Sequence, residues 1–194
     1  MLLPDGNAGR REVLRHEGRP VELFLRTPRD LPAAFERDRR LRRGTMLFIY
    51  DQGVPLFDPH GHVLAARERA RELLAAGPAP LTLAERERSR YVLTCFMDDL
   101  LDTAPNERYE QLATAGSTLR EAAHLLTAHH NAWTGIGRWL PRRLLAADPA
   151  LGAALLSGHR TVAEHADPGP LAAAAEKVLE LVGGPLREGY VEPH

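Results

Sequence analysis

A proline-rich break at residues 77–80, Gly-Pro-Ala-Pro, constrains the fold of this chain more than any other feature. Proline cannot continue a helix because it lacks the backbone N–H and clashes with the preceding turn, and glycine readily ends one. The sequence before the break mixes strand-like and helical patterns, whereas the sequence after it is helical almost throughout. We therefore predict two domains, residues 1–76 and 84–194, joined by a linker over residues 77–83.

The first domain opens with two strand-like stretches, REVLRHE at 11–17 and PVELFLRT at 20–27. The Gly18-Arg19 link between them suits a two-residue hairpin turn, which predicts an antiparallel pair. Alternation along the second strand places Glu22, Phe24 and Arg26 on one face, so the carboxylate can be exposed without breaking the apolar pattern of the other face.

Helical patterns follow the predicted hairpin. Thr27 suits an N-cap with Pro28 at the first helical position, which predicts a helix from there. The apolar run at 46–50 fits a helix or a strand, a short strand is predicted at 54–57, and a charged, Ala-rich helix is predicted at 62–75.

The second domain begins with Thr82 followed three residues later by Glu85, the pattern of a capping box. A second long helix is predicted over 106–133, with a break at Gly116. Shorter helices are predicted at 136–147, 149–158, 159–166 and 169–182. Four or five helices of this kind form a bundle, so the fold class predicted for the whole chain is α+β.

Composition narrows the classes of protein. The 194 residues carry a formal net charge of −1, and no apolar run reaches the roughly 20 residues of a membrane span, so a cytoplasmic protein without a membrane partner is expected. Arginine outnumbers lysine 24 to one, but acidic residues balance the basic ones, so we expect no nucleic-acid partner. The single cysteine, Cys95, excludes an intramolecular disulfide.

Several common catalytic motifs are absent from the sequence. It has no GxxxxGK[ST] or GxGxxG phosphate loop, no GxSxG elbow and no HExxH helix. Among the acidic residues at 98–102, Asp98 and Asp102 share a helix face that suits solvent. Asp99 lies nearer the apolar side, where a carboxylate needs a partner.

The most unusual stretch is NAWTGIGRWLPRRLL at 131–145. Trp133 and Trp139 flank a Thr-Gly-Ile-Gly connection, and arginines follow at 138, 142 and 143. Such a cluster at a helix start could stack on a base or hold phosphates. It could equally be a packed corner between two helices, in which the tryptophans supply buried area.

Taken in order, these stretches resemble a bacterial family. GRPVELFLRTP, a helix, GVPLFDPHG, the Pro-rich link, RYVLTCFMDDLLD, NAWTGIGRWL with DPAL, and GGPLREGY together are similar to nucleotidyltransferase-domain proteins of the aminoglycoside nucleotidyltransferase type. The resemblance spans about residues 10–190. It implies a mixed-sheet nucleotidyltransferase-like domain, truncated here, followed by a helical bundle.

The resemblance also implies a reaction and its site. Members of the family transfer a nucleoside monophosphate, usually AMP from ATP, to a small-molecule or protein acceptor, with Mg²⁺ held by clustered carboxylates. Glu22 matches the third metal carboxylate, and Asp99 is a candidate general base. Trp133, Arg138 and Trp139 are expected near the nucleotide or the acceptor.

The chain departs from the family in its metal motif. It has no Asp-x-Asp, and its one Gly-Ser pair, Gly116-Ser117, lies in a helical region. We expect that the start codon lies upstream, beyond the missing motif, or that the metal site has been lost. The alternative function is a noncatalytic nucleotide-binding or protein-interaction module, whose sheet is completed by another chain or by a second copy in a homo-oligomer.

Overall fold

A computed structural model of the protein describes residues 1–4, 6 and 8–191. Strands and helices are both present, and the fold is α+β. The chain forms two compact units, Met1–Ala79 and Pro80–His194. The division falls inside the predicted linker, residues 77–83.

The first unit contains two strands and three helices in its described part. Their bounds are β1 Arg10–His16, β2 Arg19–Leu25, α1 Leu31–Arg40, α2 Thr45–Gln52 and α3 His62–Ala76. The second unit contains five helices within its described residues, 80–191: α4 Leu83–Asp102, α5 Arg108–His129, α6 Trp139–Ala147, α7 Pro149–His165 and α8 Gly169–Leu181.

The strands β1 and β2 form an antiparallel hairpin, as the sequence predicts, but its turn lies one residue earlier than expected. Glu17 and Gly18 form the turn, with φ angles of 47° and 77°, and His16 pairs with Arg19. Two consecutive positive φ angles are those of a type I′ turn, whose twist matches that of the flanking strands. An isolated parallel bridge joins Leu2 to Arg26 on the other side of β2.

The helices of the first unit correct two predictions. The first helix begins at Leu31, not Pro28, and the Thr27 hydroxyl accepts a hydrogen bond from the Asp30 amide at 3.2 Å in the turn before it. Residues 54–57 form no strand, and Val54, Leu56 and Phe57 are 79%, 95% and 83% exposed. The ambiguous run at 46–50 is helical, as part of α2.

The predicted capping box of the second unit is confirmed. The Thr82 hydroxyl accepts from the Glu85 amide at 3.2 Å, and the Glu85 carboxylate accepts from the Thr82 amide at 2.8 Å. The core lies among all five of these helices, with Leu144 contributed by α6, and is built mainly from leucine and alanine. No helix in the described part of the chain is long and apolar enough to cross a membrane.

Two predicted helix breaks are wrong, because both glycines lie inside continuous helices. Gly116 is within α5, and Gly158 is within α7, which therefore replaces the two short helices predicted at 149–158 and 159–166. At Gly158 a Cβ atom would lie 2.6 Å from the Leu171 Cα, so this glycine allows α7 and α8 to approach closely.

Candidate functional site

Four side chains at the start of α6 form a basic aromatic group, which we call the Arg–Trp cluster: Arg138, Trp139, Arg142 and Arg143. The guanidinium carbons of Arg138, Arg142 and Arg143 lie 5.7, 4.9 and 5.9 Å from the centre of the Trp139 ring. Positions three and four residues apart share a helix face, so the helix itself gathers Arg142 and Arg143 beside Trp139. All three distances are within the range of a cation–π contact.

The cluster is positioned by the glycine-containing loop that precedes α6. A Cβ atom on Gly135 would lie 2.4 Å from the Trp139 carbonyl oxygen, so only glycine permits this approach of loop and helix. Gly137 has φ +52°, in the left-handed region that favours glycine. The Thr-Gly-Ile-Gly sequence therefore determines where the side chain of Trp139 emerges.

The free backbone amides expected at a helix start are occupied here. The Trp139 amide donates to the Ile136 carbonyl and the Leu140 amide to the Gly137 carbonyl, both at 3.1 Å. The next residue, Pro141, has no N–H. An anion at this helix start would therefore be bound by the arginine side chains and not by backbone amides. Of the two ways in which a helix start can bind phosphate, only the side-chain contacts are available here.

The electrostatics of the cluster favour a negatively charged ligand. Arg138 and Arg142 are exposed, and no ion pair joins either of them to a carboxylate within the described residues. Arg143 is half-buried, and this burial lowers the pKa of its guanidinium from the usual value. Three like charges around one ring repel one another, and a bound anion relieves that repulsion.

The two tryptophans that the sequence pairs have different environments. Trp133 is buried, 9% exposed, which is the packed-corner arrangement. Trp139 is 42% exposed and carries the arginine contacts. Of the three residues predicted near a nucleotide, Arg138 and Trp139 lie together in the cluster, and Trp133 packs in the interior of the second unit.

Asp99 does not have the half-buried environment expected from the helical pattern. It lies exposed on α4, and its backbone carbonyl accepts from the Thr103 amide. Asp98 has the partner instead, because its carboxylate accepts two hydrogen bonds from Arg187, at 2.6 and 2.9 Å. The prediction that Asp99 lies at the edge of a buried face and requires a partner is therefore wrong, because its side chain is exposed to solvent.

Glu22 lies exposed on β2, in the first unit, and accepts a hydrogen bond from the Arg11 guanidinium across the hairpin. The same guanidinium also lies over the Phe24 ring, 5.3 Å from its centre, so Arg11 contacts both side chains on this face of the hairpin. Across the described chain, no three His, Cys, Asp or Glu side chains converge as a metal-binding group. These residues do not fit the two-metal centre that the resemblance implies.

Arg142 and Arg143 belong to the basic aromatic stretch at 131–145, but neither is among the residues predicted near the nucleotide, which are Trp133, Arg138 and Trp139. Their spacing of three and four residues from Trp139 predicts a shared helix face, because the predicted helix at 136–147 and the observed α6 both contain all three residues.

Three comparisons of this chain with known proteins identify no relative. No family model, no curated protein and no solved structure matches this chain.

Proposed function

We propose that this protein binds a nucleotide through the Arg–Trp cluster, with ATP as the nucleotide that the sequence resemblance implies. The observation that supports the proposal is the position of the Arg142 guanidinium 4.9 Å from the ring of the exposed Trp139, with Arg138 on the same ring. Both arginines lack a carboxylate partner among the described residues. A ligand with clustered negative charge supplies that partner.

The chemistry of the side chains favours phosphate over other anions. A guanidinium is planar, permanently charged and able to donate two parallel hydrogen bonds to phosphate oxygens. Arg138 and Arg142 offer two such groups to adjacent phosphates. The exposed part of the indole provides an apolar surface on which a base can stack, and such stacking contributes about 1–3 kcal/mol.

The role in nucleotidyl transfer is a proposal of wider scope. In the family that the sequence resembles, the bound nucleotide is the donor of AMP, and Glu22 corresponds to a metal ligand. Because the described residues hold no cluster of metal-binding carboxylates, the proposal for this chain is nucleotide binding without transfer by these residues alone. The acceptor class stays open between a small molecule and a protein.

The proposal is tested by comparing three ligands in isothermal titration calorimetry: ATP, adenosine and inorganic tripolyphosphate. We expect ATP to bind most tightly, tripolyphosphate more weakly, and adenosine weakest, since the arginines supply most of the interaction. Binding of ATP should weaken with salt, because screening reduces the attraction between exposed charges. Equal binding of adenosine and ATP, or no binding of ATP, would refute the proposal.

A further inference from the structure

The outer edge of β1 is free in the described part of the chain. His16 and Arg19 flank the two-residue turn and form the hydrogen-bonded pair that closes the hairpin. Alternation along the ladder then turns the backbone N–H and C=O groups of Arg11, Val13 and Arg15 away from β2. No hydrogen bond between described residues uses these backbone groups.

The position of Pro20 supports this assignment of which backbone groups face β2 and which face away. Pro20 lies opposite Arg15, and since it has no N–H it is suited to a position that does not bond across the hairpin. The other edge of the hairpin is partly covered. The Met1 ammonium donates to the Phe24 carbonyl at 2.9 Å and the Leu3 amide to the Arg26 carbonyl at 2.7 Å.

An exposed apolar side chain accompanies the free edge. Leu14 is 42% exposed and lies opposite Val21, on the hairpin face that also carries Leu23 and the buried Leu25. Leu14 is therefore the apolar side chain of this face that lies nearest the free edge. A strand added along β1 would extend it and would also pair the free backbone groups.

We propose that a second copy of this chain supplies that strand, so that two β1 strands pair antiparallel about a two-fold axis between their Leu14 residues. Because the two-fold axis is perpendicular to the sheet, the same face of each hairpin lies on the same side of the combined sheet. Each β1 residue therefore lies opposite a residue of the second copy whose side chain is on that same side. Val13 then opposes Arg15 of the second copy as a hydrogen-bonded pair, twice by symmetry. The resulting four-stranded sheet carries an apolar row of Val21, Leu14, Leu14 and Val21.

The charges on β1 select this register over its neighbours. An axis at Glu12 would oppose two glutamates, and an axis at Val13 would oppose Arg11 with Arg15. The axis at Leu14 opposes Glu12 with His16 of the second copy, so the carboxylate can accept a hydrogen bond from the imidazole. Like charges directly opposite destabilise strand pairs, whereas polar partners of this kind stabilise them.

Cross-linking tests both the pairing and its register. In a Cys95→Ala background, Leu14→Cys places two cysteines opposite each other in a non-hydrogen-bonded pair, at a separation that suits a disulfide. Val13→Cys in the same background is the matched control, because the two residues 13 are then offset beyond the roughly 7 Å that a disulfide can bridge. We expect a covalent dimer from Leu14→Cys alone; a dimer from Val13→Cys, or from neither variant, would overturn the proposal.

Light scattering of the unmodified protein provides a second, independent test. We expect a mass twice the monomer value of 21.5 kDa. Glu12→Lys and His16→Glu should each reduce the dimer fraction, and the double variant should restore it, since opposite charges again face each other. A monomer at every concentration, or a dimer that none of these variants changes, would overturn the proposal, and a circular dichroism spectrum checks that each variant is folded.

Discussion

The Arg142 guanidinium carbon lies 4.9 Å from the centre of the Trp139 ring, one helical turn along α6. At an exposed position such a contact contributes about 0.5–1 kcal/mol. Two further guanidiniums share the ring, at 5.7 and 5.9 Å, and their mutual repulsion offsets part of that gain. The cluster is therefore a weak source of stability, and a bound polyanion gives it a clearer physical role.

Replacing Gly135 should disturb the cluster through the backbone. In Gly135→Ala the new Cβ would lie 2.4 Å from the Trp139 carbonyl oxygen, so the loop or the start of α6 must move. We expect a loss of about 1–3 kcal/mol in the free energy of unfolding, as for other overpacked sites, together with weaker ATP binding. Urea denaturation measures the first effect and calorimetry the second.

Gly116→Ala is the matched control for this substitution. A Cβ at this position in α5 would have no atom within 4 Å. Because alanine is the better helix former, we expect the free energy of unfolding to rise by about 0.5–1 kcal/mol with ATP affinity unchanged. Equal effects of the two substitutions would contradict the role assigned to the loop.

Glu22→Gln should change stability little. The carboxylate is exposed and its contact with Arg11 is an ion pair at the protein surface, where such pairs contribute about 0–1 kcal/mol. We also expect added Mg²⁺, without nucleotide, to leave the melting temperatures of the wild type and this variant unchanged. A Mg²⁺-dependent rise in the melting temperature that Glu22→Gln abolishes would show that Glu22 is a metal ligand after all.

Asp38 should make the stability of the first unit depend on pH. This carboxylate is 8% exposed and accepts hydrogen bonds from the Met46 amide and, at 3.2 Å, the Leu47 amide at the start of α2. Burial raises the pKa of Asp38 and outweighs the two backbone hydrogen bonds, which lower it. The folded state therefore holds the proton to a higher pH than the unfolded state.

The sign of the effect follows from this difference in pKa. The stability contributed by protonated Asp38 is fully present below the unfolded pKa of about 3.9 and is lost as the pH rises through the higher folded pKa. Asp38→Asn does not titrate, so the unfolding free energy of the wild type should fall relative to this variant across that window. A relative stability that rises with pH would contradict the burial argument.

Much of the helical architecture follows from local signals in the sequence. The capping box at Thr82 and Glu85 specifies the start of α4, because both side chains bond to the helix backbone within a few residues. The hairpin is also local, although its turn uses Glu17, a residue that rarely adopts a positive φ. Local patterns suffice where the partners are close in sequence.

The predictions that are wrong concern positions whose environment depends on residues distant in the sequence. In the sequence, Gly158 suggests a helix break. In the structure it permits close packing of α7 on Leu171, a neighbour that the residues around Gly158 do not indicate. Asp98 has a partner that the sequence pattern does not indicate, because that partner, Arg187, lies far along the chain. The Arg–Trp cluster is visible in the sequence as a basic aromatic stretch, but local pattern does not distinguish the buried Trp133 from the exposed Trp139, because burial depends on packing against residues elsewhere in the chain.

The most direct measurement of the central claim is ATP affinity in variants of the cluster. Arg142→Ala and Trp139→Ala should each weaken binding by about tenfold or more, since a charge-assisted hydrogen bond contributes about 1.5–3 kcal/mol and stacking of a base on an aromatic ring about 1–3 kcal/mol. Arg120→Ala removes an exposed arginine of α5 that bonds to Ser117, so it matches the change in net charge and should leave the affinity unchanged. If all three variants bind ATP like the wild type, or Arg120→Ala weakens binding as much as Arg142→Ala, the cluster is not the nucleotide site.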